Sequence, residues 1–218
     1  MPANIVALSV QTGSGGYAIA RQAAERLGFK YYDWEITLEA ARLAGVPPTD
    51  VVAAERVPGF LERMMRRLGA ISTMTIEGSP GFSDPSPAVW NSALQSLTSD
   101  DYRQFIERVV EGLAKTGDAV IVGHAGQHIL RNTSGALKVF VHGTAAVRKT
   151  RYAIEQGVSL DEAEAAIKQS DKDRRGLLKN VYHFDWTDAS YYDLTINTDH
   201  LNDDYAIDAI VGAAKAMP

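Results

Sequence analysis

An open parallel α/β sheet of five strands, layered between helices, is the fold class the sequence predicts, and three observations predict it. Ile5 to Gly28 runs from an apolar, β-branched segment through Gly13-Ser14-Gly15-Gly16 into a helix-periodic segment. Asp118-Ala-Val-Ile-Val-Gly123 and Leu137-Lys-Val-Phe-Val-His142 are near-continuous apolar runs, the pattern of strands buried on both faces. Helical periodicity fills the intervals between strands, which requires crossover connections and therefore parallel pairing.

The elements follow in order. Strand 5–9 leads into the glycine cluster, and Ile19, Ala20, Ala23, Ala24 and Leu27 form the inner stripe of a helix that stops at Gly28. Phe29 to Asp33 is a short aromatic strand, centred on 31–32. Residues 34–100 carry helical patterns in pieces: one over 35–44, a break at Pro47-Pro48-Thr49, and an amphipathic segment marked by Phe60, Leu61, Met64, Met65 and Leu68. Glu77 to Pro87 is a turn-rich loop, long enough to act as a lid or a contact surface. This stretch is expected to be a helical insertion.

A helix capped at Thr98 or Ser99 then presents Tyr102, Phe105, Ile106, Val109, Val110 and Leu113 on one face until Gly117. Strands 119–122 and 138–142 come next, with His128 expected on a surface helix between them. A helix capped at Thr144 carries Arg148, Lys149 and Arg151, and Ser159-x-x-Glu162 is a capping box opening another helix, which finishes in Ser170 to Arg175. Strand 193–197 and a helix through Tyr205, Ile207, Ile210 and Ala213 close the chain.

Bulk composition narrows the function classes. A chain of 218 residues, 45% hydrophobic and 22% charged, suits a single domain over 1–218 with an insertion. Its net charge of −5 offers no general attraction to nucleic acid or anionic membrane, so neither is an expected partner. With no cysteine there are no disulfides, thiolate metal sites or Cys nucleophile. No apolar run reaches membrane-spanning length and no signal-peptide core precedes the first strand, so the expected location is cytoplasmic.

The candidate site gathers where strands end at their carboxyl termini. Glycines between a strand and a helix leave room for a bulky anion against exposed N–H groups, and the helix dipole favours that anion. On the phosphate-loop pattern GxxxxGK[ST], Val10 stands at the first Gly, Gly16 at the Lys and Tyr17 at the Ser/Thr, so only Gly15 matches. A glycine-rich turn that merely connects is the alternative. Asp33 is either a ligand contact or the N-cap of the next helix. His124, just past the 119–122 strand, is either ligand-facing or structural; His142 falls on the same edge. The charged run 170–175 is either a solvated face or, with Arg148, Arg151, Arg174 and Arg175, a phosphate-recognition surface. Arg63, Arg66 and Arg67 pose the same choice.

Taken together, Ser9–Ala20 with its GSGG core, Leu27–Asp33, Ala119–Gly123, Val147–Arg151, Asp171–Arg174 and Tyr192–Asn197 resemble the cytidylate kinase-like family of P-loop nucleoside monophosphate kinases. The resemblance implies a three-layer P-loop kinase fold, a five-stranded parallel sheet, an acceptor-binding helical insertion at 34–100 and a lid at 148–186. It implies phosphoryl transfer from ATP, with Mg²⁺, to a small-molecule nucleotide substrate, CMP or dCMP by default. Carried over by position, Gly13, Ser14, Gly15, Gly16 and Tyr17 would hold the donor phosphates. Arg148, Arg151 and Arg174 would neutralise the transferring group, and Asp33, His124 and Arg175 would meet the acceptor. Metal ligands are not assigned; Ser14, Asp171, Asp173 and Asp193 are the alternatives.

Two departures stand out. The family usually places Arg after GSGG and after the third strand, where this chain has Tyr17 and His124, and Lys30, Arg21 or a lid arginine would have to replace those cations. A nucleotide-binding regulatory protein and a kinase of another acceptor are therefore carried as alternatives.

Overall fold

The computed structural model describes residues 2–44 and 99–217. The Pro47-Pro48-Thr49 break, the helix expected near 60–68 with Arg63, Arg66 and Arg67, and the 77–87 loop lie outside the described residues.

Five parallel strands form one sheet. They are β1 (Ile5–Val10), β2 (Lys30–Tyr32), β3 (Ala119–Val122), β4 (Ala136–His142) and β5 (Leu194–Asn197), in the order β2-β3-β1-β4-β5. β1 sits at the centre with Ile5 opposite both Ala119 and Ala136, and all six of its residues are buried, as its unbroken apolar run requires. The described helices are α1 (Gly16–Leu27), α2 (Trp34–Ala44), α3 (Ser99–Thr116), α4 (Gly126–Ile129), α5 (Ala145–Gln156), α6 (Leu160–Val181) and α7 (Asp203–Ala216). None of them is long and apolar enough to cross a membrane.

Strand alternation divides the core between the two faces of the sheet. Val6, Leu8 and Val10 of β1 meet Ile19, Ala20 and Ala23 of α1 and Ile207 and Ile210 of α7. Ile5 and Ala7 point the other way, to Ile36 and Ala40 of α2 and Ile106 and Val110 of α3. Each of the Val, Leu and Ile side chains contributes about 1.5–3 kcal/mol on burial, so these two layers hold the loops at the strand ends in fixed positions. A third cluster, Phe140, Leu178, Tyr182, Phe184, Trp186 and Tyr192, packs the end of α6 against β4.

Three expectations change here. α6 does not finish at 170–175 but runs 22 residues to Val181, starting from the predicted capping box: Glu162 N–H donates to Ser159 Oγ at 3.2 Å, and Ser159 N–H to Glu162 Oε2 at 2.9 Å. Thr144 occupies the N-cap of α5 but makes no side-chain capping bond; instead its N–H donates to Asp199 at 2.8 Å. His128 is not a surface residue. It is half-buried, stacked on Phe184 at 4.8 Å and edge-on to Tyr182 at 5.6 Å, because α4 is covered by the segment that follows α6.

That burial has a pH consequence. Desolvation, followed by the nearby Arg131 charge, holds the His128 imidazolium below its ordinary range. A His whose folded pKa is depressed binds protons more readily when unfolded, so stability is full above about pH 6.5 and falls as the pH drops through the folded value. The melting temperature is expected to decline between pH 7.5 and 5.5, with a shallower decline in His128→Phe; equal slopes would remove His128 as the cause.

Candidate active site

At the carboxyl end of β1 the chain turns through Gln11-Thr12-Gly13-Ser14-Gly15 into α1. Gly13 and Gly15 take φ of 80° and 76°, while Ser14 between them stays out of the left-handed region. Alternation of this kind builds a concave nest of peptide N–H groups, an anion-binding shape. Tight packing accounts for Gly16: a Cβ there would stand 2.5 Å from Val10 Cγ1, because α1 starts directly on the sheet. The place that a phosphate-loop Lys would take is therefore sterically filled by β1.

Three arginines converge on the carbonyls of this turn. Arg174 donates to Val10 O, Arg148 to Thr12 O at 3.1 Å, and Arg151 to Ser14 O. Arg148 is 4% exposed and further committed, through Nε to Gly143 O at 3.0 Å and through Nη2 to Asp171 Oδ2 at 2.7 Å. Its guanidinium is thus committed to two carbonyls and one carboxylate. Arg151 also donates to Thr198 Oγ1 at 3.1 Å, and Arg174 lies over the buried Trp186 ring at 5.1 Å. Helix α6 is tied to the turn by a further bond, Thr12 Oγ1 to Ser170 Oγ at 2.7 Å. The 170–175 run is thus neither a solvated face nor an open phosphate surface at its start: Ser170 is buried and Asp171 neutralises Arg148.

Ser14 is fully buried, its hydroxyl donating to Val141 O at 3.4 Å and accepting from Gly16 N–H at 3.3 Å. That direction is unsuited to holding a metal above the nest. Tyr17 packs against the α1–α7 layer. Of the two other substitute cations, Lys30 opens β2 in register with Ala119, at the amino end of the sheet and away from the turn, and Arg21 lies over the Tyr31 ring at 4.6 Å. Burial, then the Asp33 charge, raises the Tyr31 phenol, which donates to Asp33 Oδ2 at 3.4 Å.

Asp33 and His124 come together on the neighbouring strand ends. His124 Nε2 stands 2.9 Å from Asp33 O, and Asp33 is the residue from which α2 begins, its carbonyl accepting from Ile36 N–H at 3.3 Å and its N–H donating to Glu35 Oε2 at 3.0 Å. Gly123, His124 and Ala125 are all left-handed, with φ of 82°, 52° and 54°; two non-glycine residues in that region mark a turn held by its surroundings. His142 ends β4, stacked on Phe140 at 5.1 Å, with its imidazolium disfavoured by burial. Arg175 stands apart from the turn, lining a cavity of about 340 Å³ with Lys179, His183, Phe184 and Asp185.

Sequence reasoning missed Thr12, Asp171 as an ion-pair partner, and Thr198, whose hydroxyl donates to Ser14 O at 2.9 Å. Thr198 carried a readable signal, since it directly follows a strand at the carboxyl edge of the sheet, where ligands gather in open α/β folds.

A model of the cytidylate kinase-like family matches residues 5–200 of the chain. A cytidylate kinase of Thermococcus kodakarensis is 27% identical over 96% of this chain and 86% of its own length. One from Pyrococcus horikoshii is 34% identical over 51% of this chain and 56% of its own. Among solved structures, an uncharacterized protein from Eubacterium ventriosum shares the fold with a TM-score of 0.63 at 17% identity, covering 97% of this chain and 98% of that one.

Proposed function

From a chain that belongs to the cytidylate kinase-like family, we propose phosphoryl transfer from ATP to a nucleoside monophosphate, with CMP or dCMP as the preferred acceptor. The observation that supports this best is the glycine nest at the head of α1, with Arg151 and Arg174 brought against it from two successive helices. Phosphoryl transfer asks for positioning and charge stabilisation more than for covalent chemistry by the protein, and a glycine nest with arginines held against it supplies both.

In this reading the N–H groups of Gly13, Gly15 and the first turn of α1 hold the donor polyphosphate. Arg174, on the lid at 148–186, screens the charge that spreads over the moving group. Asp33 and His124 border the acceptor; the region 45–98 expected to meet it lies outside the described residues, and Arg175 faces the cavity it shares with Lys179 and His183. Mg²⁺, when bound, would offset phosphate charge; Asp171 is committed to Arg148 and Asp193, at the amino end of β5, to Lys138, so Asp173, whose Oδ2 is buried without a hydrogen-bond partner among the described residues, is the carboxylate that would be open to it.

One observation favours a second reading, nucleotide binding without turnover: the space at Gly16 is closed by Val10, so no side-chain cation can rise from within the loop. A phosphotransfer assay separates the two. MgATP with CMP, dCMP, UMP, AMP and GMP, resolved by chromatography, is expected to yield a pyrimidine diphosphate. Nucleotide binding with no product across the panel would select the second reading.

A further inference from the structure

The phosphate loop lacks its lysine, yet its backbone is surrounded by cations on one side. The Thr12 and Ser14 carbonyls accept from Arg148 and Arg151, and Thr198 Oγ1 adds a second donor to Ser14 O. No cis peptide occurs among the described residues. In a planar trans peptide the C=O of one residue and the N–H of the next point in opposite directions. A carbonyl held toward an arginine therefore sends the following N–H the other way. The residues that follow Thr12 and Ser14 are Gly13 and Gly15, the two left-handed members of the nest.

We propose that Arg148 and Arg151 are positioning residues that act from behind the loop, fixing the Gly13 and Gly15 peptide planes so that their N–H groups face the bound polyphosphate. This rests on the nucleotide-binding reading above and gives both arginines a role other than direct phosphate contact. The arrangement also polarises each peptide: a carbonyl that accepts from a guanidinium makes its own N–H a stronger donor, by roughly 10–30% per bond. Positive charge thus reaches the ligand through the backbone, in place of the lysine that Val10 leaves no space for. Arg148 suits this duty because its orientation is set independently of any ligand, by Gly143 O and the Asp171 carboxylate. Arg151 stands so close that a Cβ on Gly15 would lie 3.1 Å from its Nη1.

The test is nuclear magnetic resonance on the ¹⁵N-labelled full chain titrated with ADP. The Gly13 and Gly15 amide protons are expected to move downfield on saturation, while the Arg148 and Arg151 Nε–H signals hold their positions. In R151Q the Gly15 shift should vanish and ADP affinity fall about 10- to 100-fold, the equivalent of one charge-assisted hydrogen bond. R151K, which keeps one donor to Ser14 O, should recover part of both. R148Q should do the same at Gly13; if R148Q does not fold, the R151Q and R151K pair carries the test alone. Guanidinium signals that move with ADP while the two glycine amides stay still would overturn the proposal and leave nucleotide binding intact. Absence of any ADP response in the unaltered chain would instead sink the functional reading on which the proposal rests.

Discussion

Gly13→Ala is expected to reduce nucleotide affinity and phosphoryl transfer by about 100-fold or more, the scale on which misplaced catalytic geometry acts. Two separate effects act at this position. The residue holds φ of 80°, where a Cβ costs about 1–2 kcal/mol. The added atom would also stand 2.4 Å from the Arg148 carbonyl oxygen, which belongs to helical backbone and has no rotamer to escape through. Either the turn or α5 must shift, and a shift of either separates the Thr12 carbonyl from the Arg148 guanidinium. Calorimetric titration with ADP, alongside a thermal melt, measures the two consequences separately. A variant that melts a few degrees lower but binds ADP as before would show that the nest tolerates displacement and does not hold the phosphates.

Asp171→Ala should be the most destabilising single change where α5 and α6 meet the turn. It strips the counter-charge from an arginine that is 4% exposed, and breaking a buried pair from one side costs about 3–5 kcal/mol. Asp171 itself keeps a quarter of its side-chain surface, so water relieves part of that penalty and about 3 kcal/mol is expected. In a chain of this length that is a fall of roughly 6–12 °C in melting temperature. Replacing both partners, Arg148→Met with Asp171→Leu, should restore most of the lost stability, because two apolar groups leave no charge unpaired. ADP affinity should stay low in that double variant, since nothing then holds the Thr12 carbonyl. Recovery of stability and affinity together would reduce Arg148 to a packing element.

How much of this could be read from the residues depended on whether the partners were near in sequence. β3 was legible to the residue, because Ala119–Val122 is an apolar run whose burial needs no knowledge of its neighbours. The capping box at Ser159 and Glu162 was legible for the same reason: both halves lie within four positions. The length of α6 was not. Ser170 to Arg175 looks like a fraying, solvated end until Arg148 is placed 23 positions back as the partner of Asp171. His128 failed likewise, because the rings that bury it come from residues 182, 184 and 191. At the site, glycine spacing pointed to the nest and strand ends pointed to Asp33 and His124. That the arginines would grip carbonyls from beneath was illegible, since charge patterns show where a cation is and not which side of a loop it reaches.

The central place of β1 has a consequence for how the chain is made. Ile5–Val10 precedes the other strands of its sheet in the chain, yet both neighbours that cover its edges, β3 and β4, begin more than a hundred residues later. At about 5–20 residues per second the nascent strand waits on the order of ten seconds before its first ladder partner exists. Throughout that interval an apolar six-residue segment has two unpaired edges, the condition under which strands join other chains. Yield of native protein should therefore depend on elongation rate and on chaperones that shield the β1 segment, more than on the stability of the finished sheet.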